Sequence, residues 1–387
     1  MIIYLCNALD EDAKSSRQIT TDSPAATKKV FGLCHALQHV GVDSCVLSMG
    51  RGRQNGSGKY FSNLTTTVDN IEVNYASFWH SPFFTHVVTI VSLATLLYKI
   101  KRNRAVKLLV YNRSWHYMLA VLLAKVLRIP CYLDLEDGWV TGKQTSNQKL
   151  LTGVYDWACD SGSLLACNAL KEQVATTHNL VCYGVSSVAN KHVHQWKSGK
   201  IQVLFGGSLC EGTGANLFIQ GIKKLIKKYP MIKKELHIVI VGFGDMTEAL
   251  ENFALNTEGL VVFRGAISNK DYAKLLDDSH VGLCLKLTQG AFHDSTFPSK
   301  VIEISSHGLL LLSTAVSDVP NVFSSEHALL LENDTPEALL NALYWITQHL
   351  SDAKCMANRG NSMSRSRFSI DAVGVELADF FKCEREL

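Results

Sequence analysis

Short apolar runs alternate with longer segments of helical spacing along the chain. Residues 2–6 read as a buried strand, and residues 25–40 carry apolar positions three and four apart before stopping at Gly41, a natural helix C-terminal cap. Strands follow at 44–48, 107–111, 130–135, 164–168 and 181–183, with a helix at 116–127. This βαβα alternation predicts a parallel sheet covered by helices on both faces. Between 185 and 200 the text turns polar, and 188–200 reads as a linker. The alternation then restarts, with strands at 201–205, 236–241, 260–263, 281–285 and 309–313. Helices are predicted at 216–228, 246–255, 269–276, 300–307, 336–350 and 370–381. The pattern predicts two doubly wound α/β domains, 1–187 and 201–365, with 366–387 packing back toward the first. Ligands of such sheets sit at the carboxyl ends of strands, so each strand-to-helix turn is a candidate site.

Two stretches depart from plain alternation. Residues 10–26 read as a long polar turn, of a length that suits a mobile acceptor loop. Residues 81–98 are free of charge and end in Lys99, Lys101, Arg102 and Arg104. They read as a buried helix with a solvated basic end, or as a helix docking on the inner leaflet, and least of all as a spanning helix.

Composition narrows the function classes. The chain has 387 residues, 19% charged and 47% apolar, which excludes a disordered polyampholyte. Its net charge of +3 argues against a dedicated nucleic-acid binder. The mean hydropathy of +0.07 points to deeply buried strands or a surface that meets something apolar. The 11 cysteines are scattered, with no CxxC pair, so the expectation is neither a disulfide framework nor a structural zinc site but a reducing cytosol. The N-terminus lacks a basic n-region and reads as a first strand, not a signal peptide. The Lys223-Lys224, Lys227-Lys228 and Lys233-Lys234 pairs read as a solvated face, with membrane contact as the alternative.

Three turns of the second half carry chemistry. The first contains Gly206, Gly207, Ser208, Gly212, Thr213 and Gly214 after a strand; glycines there let backbone amides approach a phosphate, unless the segment is only a flexible turn. The second is Val241-Gly242-Phe243-Gly244, a GxG without the third glycine of the dinucleotide fingerprint; tight packing near a nucleotide is the reading, with a plain turn as the alternative. The third runs through Asp294, Ser295, Thr296, Phe297, Pro298, Ser299, Lys300 and Glu303. Pro298 suits a first helical turn and Gly308 a helix end. Lys300 and Glu303 share a face, so a helix opening with free N–H groups, a cation and a carboxylate can hold a diphosphate and a ribose; the alternative is a surface ion pair. Asp277-Asp278 reads as a solvated helix end, not a metal site.

The order of Gly207-Ser208-Leu209, Val241-Gly242-x-Gly244, the segment VVFRGAISNKDYAKLLDDSHVGLCL and Phe297-Pro298-Ser299-Lys300-Val301-Ile302-Glu303 resembles the C-terminal half of GT-B glycosyltransferases of family 4, over residues 201–333. The first half matches in architecture only. The resemblance implies two Rossmann-like domains facing a cleft, a nucleotide-sugar donor, retention at the anomeric carbon and no metal or other cofactor. It implies that Glu303 binds the ribose as the second Glu of a Glu-x7-Glu motif, whose first Glu is replaced by Ser295, with Asp294 beside it. The basic residues that such enzymes place after the first glycines are replaced by Ser208 and Thr213-Gly214. Lys300, the Gly207–Ser208 amides and Arg264 or Lys286 are then left to carry the anion.

The first half is expected to hold the acceptor. Arg113, Trp115 and His116 follow one strand; Glu136 and Asp137 follow another. Glu136-Asp137 resembles an acidic pair seen here in bacterial members of the family, with helix capping as the alternative. His116 is an acid/base or sugar-binding candidate, or a structural histidine. Together these residues lead to the expectation of a cytoplasmic transferase using a UDP- or GDP-sugar and a glycan acceptor, best matched by a lipid-linked surface polysaccharide at the inner membrane face. An epimerase or phosphorylase of the same fold, or a non-catalytic nucleotide-sugar binder, are the alternatives.

Overall fold

The computed structural model describes residues 1–21, 23–54, 59–81, 84–139, 144–186, 196–289 and 295–382. The chain divides into Met1–Val185 with Ile370–Leu387, and Ser186–Ser369.

The central apolar runs of the first unit become strands buried on both faces, flanked by less buried strands at the two edges. They are β1 (Ile2–Cys6), β2 (Ser44–Ser48), β3 (Leu64–Val68), β4 (Ile71–Tyr75), β5 (Lys107–Tyr111), β6 (Cys131–Leu135), β7 (Gly162–Leu165) and β8 (Asn179–Val181). The sheet order is β8-β7-β6-β5-β1-β2-β4-β3. Every neighbouring pair is parallel except β3 with β4, a hairpin closed by Asp69 and Asn70 at φ 47° and 67°. That edge hairpin is absent from the sequence reading, although two consecutive positive-φ residues of Asp/Asn type are a hairpin-turn signal. Helix Ile370–Lys382 packs on helix Pro24–His39 so closely that a Cβ at Gly374 would lie 2.3 Å from the Ala36 carbonyl oxygen. Phe380 stacks on His178 at 4.4 Å.

Residues 10–26 are not the long loop expected from their polarity. Asp10 caps a helix, Glu11–Ser16, by accepting from the Ala13 amide. Ile19–Thr21 pairs with Arg53–Gln54, and the next helix starts at Pro24. Arg17, buried at 2% exposure, donates to the carbonyls of Gly50, Ala76 and Ser62 and so ties the segment down.

Helix Phe84–Asn103 contains most of the charge-free stretch. It buries Leu93, Ala94, Leu96 and Leu97, yet Phe84, Val87, Val91 and Tyr98 stay about half exposed on one stripe. Only 28% of its most apolar window is buried, so it is not a core helix.

The second unit has β9 (Ile201–Ser208), β10 (Leu236–Phe243), β11 (Val261–Phe263), β12 (Val281–Cys284), β13 (Leu310–Thr314) and β14 (Ala328–Leu331). All pair in parallel, in the order β11-β10-β9-β12-β13-β14. Numbered within the unit this is 3-2-1-4-5-6, the order whose chain reversal between the first and fourth strands opens a ligand crevice at their carboxyl ends. Helix Ala215–Lys228 turns Leu217, Phe218, Ile222 and Leu225 into the core. Its lysines face outward, with Lys224 paired to Glu337. Helix Asn269–Asp278 ends at Asp278, which pairs with Lys197. The polar helix Leu350–Arg367 was not expected from periodicity; its buried stripe is Ala353, Ala357, Gly360 and Ser364, too small to register as apolar. Of the linker, residues 187–195 lie outside the described residues.

Candidate nucleotide-sugar site

The carboxyl ends of β9 and β12 lie at the chain reversal of the second sheet. Gly207 leaves β9 at φ 111° and Gly242 leaves β10 at φ 131°. A Cβ at Gly242 would stand 1.8 Å from the Gly207 carbonyl oxygen, and one at Gly244 2.2 Å from that of Leu209. The GxG is therefore a packing device that brings two strand ends together, which only glycine permits. Gly206 lies under the Tyr272 ring. Thr213 is turned into its own loop: its hydroxyl lies 2.7 Å from the Ser208 carbonyl oxygen and accepts from the Cys210 amide at 3.1 Å.

Lys300 opens helix Lys300–Ser306. Its ammonium lies over Gly207, where an added Cβ would meet Nζ at 2.1 Å. Burial lowers its pKa, against the opposing fields of Cys284 and Glu303. Among the described residues, no hydrogen bond or ion pair closes on Nζ. A partly desolvated cation with no hydrogen-bond partner is suited to an anion over Gly207.

Glu303, one turn on, is oriented by Tyr272, whose hydroxyl donates to Oε2 at 3.1 Å. Burial and the adjacent carboxylate hold the Tyr272 phenol well above its ordinary pKa, so it remains a donor. Tyr272 has no sequence signal, because a tyrosine inside a helical pattern looks like packing. The helix opening differs from expectation. Pro298 precedes the cap residue Ser299, and the Val301, Ile302 and Glu303 amides donate to the Pro298 and Ser299 carbonyls. They are not free for a phosphate. Ser295 is 8% exposed, and its hydroxyl is buried without a partner. Lys286 donates to Thr296, bracing the segment that leads through Phe297 into the helix. Arg264 is exposed, and its charge adds to burial and to Lys200 in lowering the pKa of His237. Asp294 lies outside the described residues.

In the first unit, Glu136 and Asp137 diverge. Asn112, at φ 55°, accepts from the amides of both through Oδ1 and donates to Asp137 Oδ2 at 2.9 Å. Asp137 thereby stays at the surface. Glu136 points inward to Lys29, which also binds Asp134 Oδ1 at 2.8 Å. The Tyr4 hydroxyl closes on the other Asp134 oxygen. Neither acid caps the next helix, Ser146–Ala158, whose capping box is Thr145 and Gln148. Burial pushes Glu136 up to about 7, Lys29 opposes this and Asp134 adds to it. Burial would lower Lys29, but Asp134 and Glu136 outweigh it and raise its pKa. Lys29, Asp134 and Tyr4 escaped the sequence reading because each lies inside a helix or strand.

Arg113 is not available to an acceptor. Its side chain is 1% exposed, and Nη2 donates to Asp156 and the Gln173 carbonyl. Trp115 is 45% exposed. His116 stacks on His86, with their ring nitrogens 2.7 Å apart. Among the described residues, no group of three His, Cys, Asp or Glu side chains is arranged to hold a metal.

Residues 200–349 match the model of the glycosyl transferases group 1 family. No curated protein sequence matches the chain significantly. Solved structures share the fold along the whole length. Anabaena Alr3699/HepE in complex with UDP-glucose superposes with a TM-score of 0.70 at 12% identity, covering 99% of this chain and 100% of that one. Sucrose-phosphate synthase from Thermosynechococcus elongatus gives 0.68 at 13%, covering 99% and 98%. The pneumococcal O-GlcNAc transferase GtfA in complex with UDP and GlcNAc gives 0.67 at 10%, covering 99% and 98%. The fold is that of GT-B glycosyltransferases.

Proposed function

We propose that the protein is a glycosyltransferase that moves a sugar from a UDP-sugar to a glycan acceptor. The observation that carries this reading is Lys300, a partly buried ammonium that makes no hydrogen bond or ion pair among the described residues, set over Gly207 at the chain reversal of a sheet inside the family-matched segment. Similar structures hold UDP-glucose, or UDP with GlcNAc, which favours UDP over GDP.

In this mechanism the Gly207–Ser208 backbone approaches the diphosphate, and Lys300 neutralises the charge that grows on it as the glycosidic bond breaks. Glu303, held by Tyr272, accepts from the ribose hydroxyls. The acceptor hydroxyl attacks the anomeric carbon from the leaving-group side, its proton passes to the departing phosphate, and configuration is retained. The stabilising charge comes from a side chain, so the reading requires no metal. Ser295 in place of a carboxylate makes the donor-sugar contact neutral. The test is UDP release with a panel of UDP-sugars. Glu303→Ala should raise the donor KM by about 10- to 100-fold, the worth of a hydrogen bond to a charged group. An unchanged KM removes Glu303 from the site, and no UDP release from any donor sinks the transferase reading.

The acceptor in this reading is lipid-linked, in surface polysaccharide synthesis on the cytoplasmic face of the membrane. Its support is the half-exposed stripe Phe84, Val87, Val91 and Tyr98 on a helix that carries no acidic residue and ends in Lys99, Lys101 and Arg102. Wild type should sediment with phosphatidylglycerol vesicles and Val87→Asp/Val91→Asp should remain in the supernatant; equal partitioning of the two would refute membrane docking.

A further inference from the structure

One arginine and two histidines lie at the carboxyl edge of the first sheet, where chain order reverses between β1 and β5. That is where open parallel sheets form ligand crevices. Beyond β2, Arg51 is fixed beside the end of β1. Its amide donates to Asn7 Oδ1 at 3.0 Å, and Asn7 Nδ2 donates back to its carbonyl at 2.8 Å. Among the described residues the guanidinium has no carboxylate partner, and Nη1 is buried without any hydrogen bond. Beyond β5, Ser114 Oγ lies 3.1 Å from His116 Nδ1, and His116 Nε2 meets Nδ1 of His86, from helix Phe84–Asn103.

Burial, then Arg51, then His86 push the His116 pKa down to about 4, so the imidazole is neutral near pH 7. Burial also lowers the Arg51 pKa, with Tyr117 acting against it. No acid contributes to either group. The acids of this strand edge are engaged elsewhere, Asp137 with Asn112 and Glu136 with Lys29. A partly buried guanidinium with an orphaned donor, beside two imidazoles, lacks only an anion.

We propose that Arg51, His116 and His86 bind a phosphoryl group of the acceptor. Arginine presents paired donors that match phosphoryl oxygens, and the imidazoles add donors or take up a proton when the anion arrives. The inference rests on the transferase reading and names the chemistry of its acceptor. Half-exposed Phe84, Val87 and Trp115 belong to the same elements as the histidines, so the phosphoryl group has two sources, a lipid phosphate or a water-soluble phosphorylated glycan.

Calorimetric titration with inorganic phosphate and with decyl phosphate separates the possibilities. Wild type should show a phosphate site that persists in Lys300→Ala, weakens at least tenfold in Arg51→Gln and partly recovers in Arg51→Lys. His116→Gln should weaken it too, which keeps the test decisive if Arg51→Gln misfolds. In wild type, the NMR-detected pKa of His116 should rise when phosphate binds. Tenfold tighter binding of decyl phosphate assigns a lipid acceptor, and equal binding assigns a soluble one. No phosphate binding, or binding untouched by both Arg51→Gln and His116→Gln, overturns the proposal. UDP binding by Arg51→Gln should match wild type, so loss of the donor reading would show separately, as wild type that fails to bind UDP.

Discussion

Lys300→Ala is expected to lower kcat by about 10²–10³-fold, the usual cost of removing one preorganised group that stabilises developing negative charge. The size follows from the setting of the ammonium. It is partly buried, it lies over Gly207, and no hydrogen bond or ion pair among the described residues engages it. The amides of Val301, Ile302 and Glu303 are occupied by Pro298 and Ser299, so these three offer no substitute. Lys286 is committed to Thr296. The same substitution should leave the melting temperature equal or higher, because it removes a partly buried cation that no hydrogen bond or ion pair among the described residues engages. Steady-state kinetics together with a melting curve check both halves. A variant that keeps wild-type kcat, or one that loses activity only by unfolding, contradicts the role given to Lys300.

Lys29→Ala is expected to cost about 3–5 kcal/mol of stability, the range for removing one partner from a buried ionic cluster. Asp134 is fully buried and Glu136 mostly so, and both face Lys29. The pH dependence adds a second readout. The folded-state pKa of Glu136, about 7, lies above its unfolded value. Its contribution is therefore fully present below the unfolded pKa, near 4.5, and is lost as pH rises through about 7. Lys29 is also raised, so its own contribution is intact across this window. Denaturant melts from pH 4.5 to 8 should show Lys29→Ala losing most at the alkaline end, with Glu136→Gln flattening the slope. Wild-type stability in Lys29→Ala at pH 8 would show that the cluster is not the anchor of this strand edge.

Much of the architecture was legible in the chain, because strands such as Ile201–Ser208 and Leu236–Phe243 are continuous apolar runs punctuated by glycine. Where the pattern is carried by small or polar residues it was not. The Leu350–Arg367 helix buries Ala, Gly and Ser, and the Glu11–Ser16 helix is held by a cap and by Arg17 rather than by an apolar face. In the site, Gly207, Lys300 and Glu303 were readable because they follow strands at motif spacing. Their partners were not. Tyr272 reaches Glu303 across 31 positions, and Lys29 reaches Glu136 across 107. Burial also reassigns residues that sequence leaves open: Arg113 looked like a ligand and is almost fully buried against Asp156, whereas Arg51 is only partly buried and has no acid partner among the described residues.

The most direct test of the donor assignment is a calorimetric titration of UDP into wild type and Lys300→Ala. A single saturable site in wild type, weakened at least tenfold in the variant, is the expected result. Absence of UDP binding in wild type, or equal affinity in the two proteins, would contradict it.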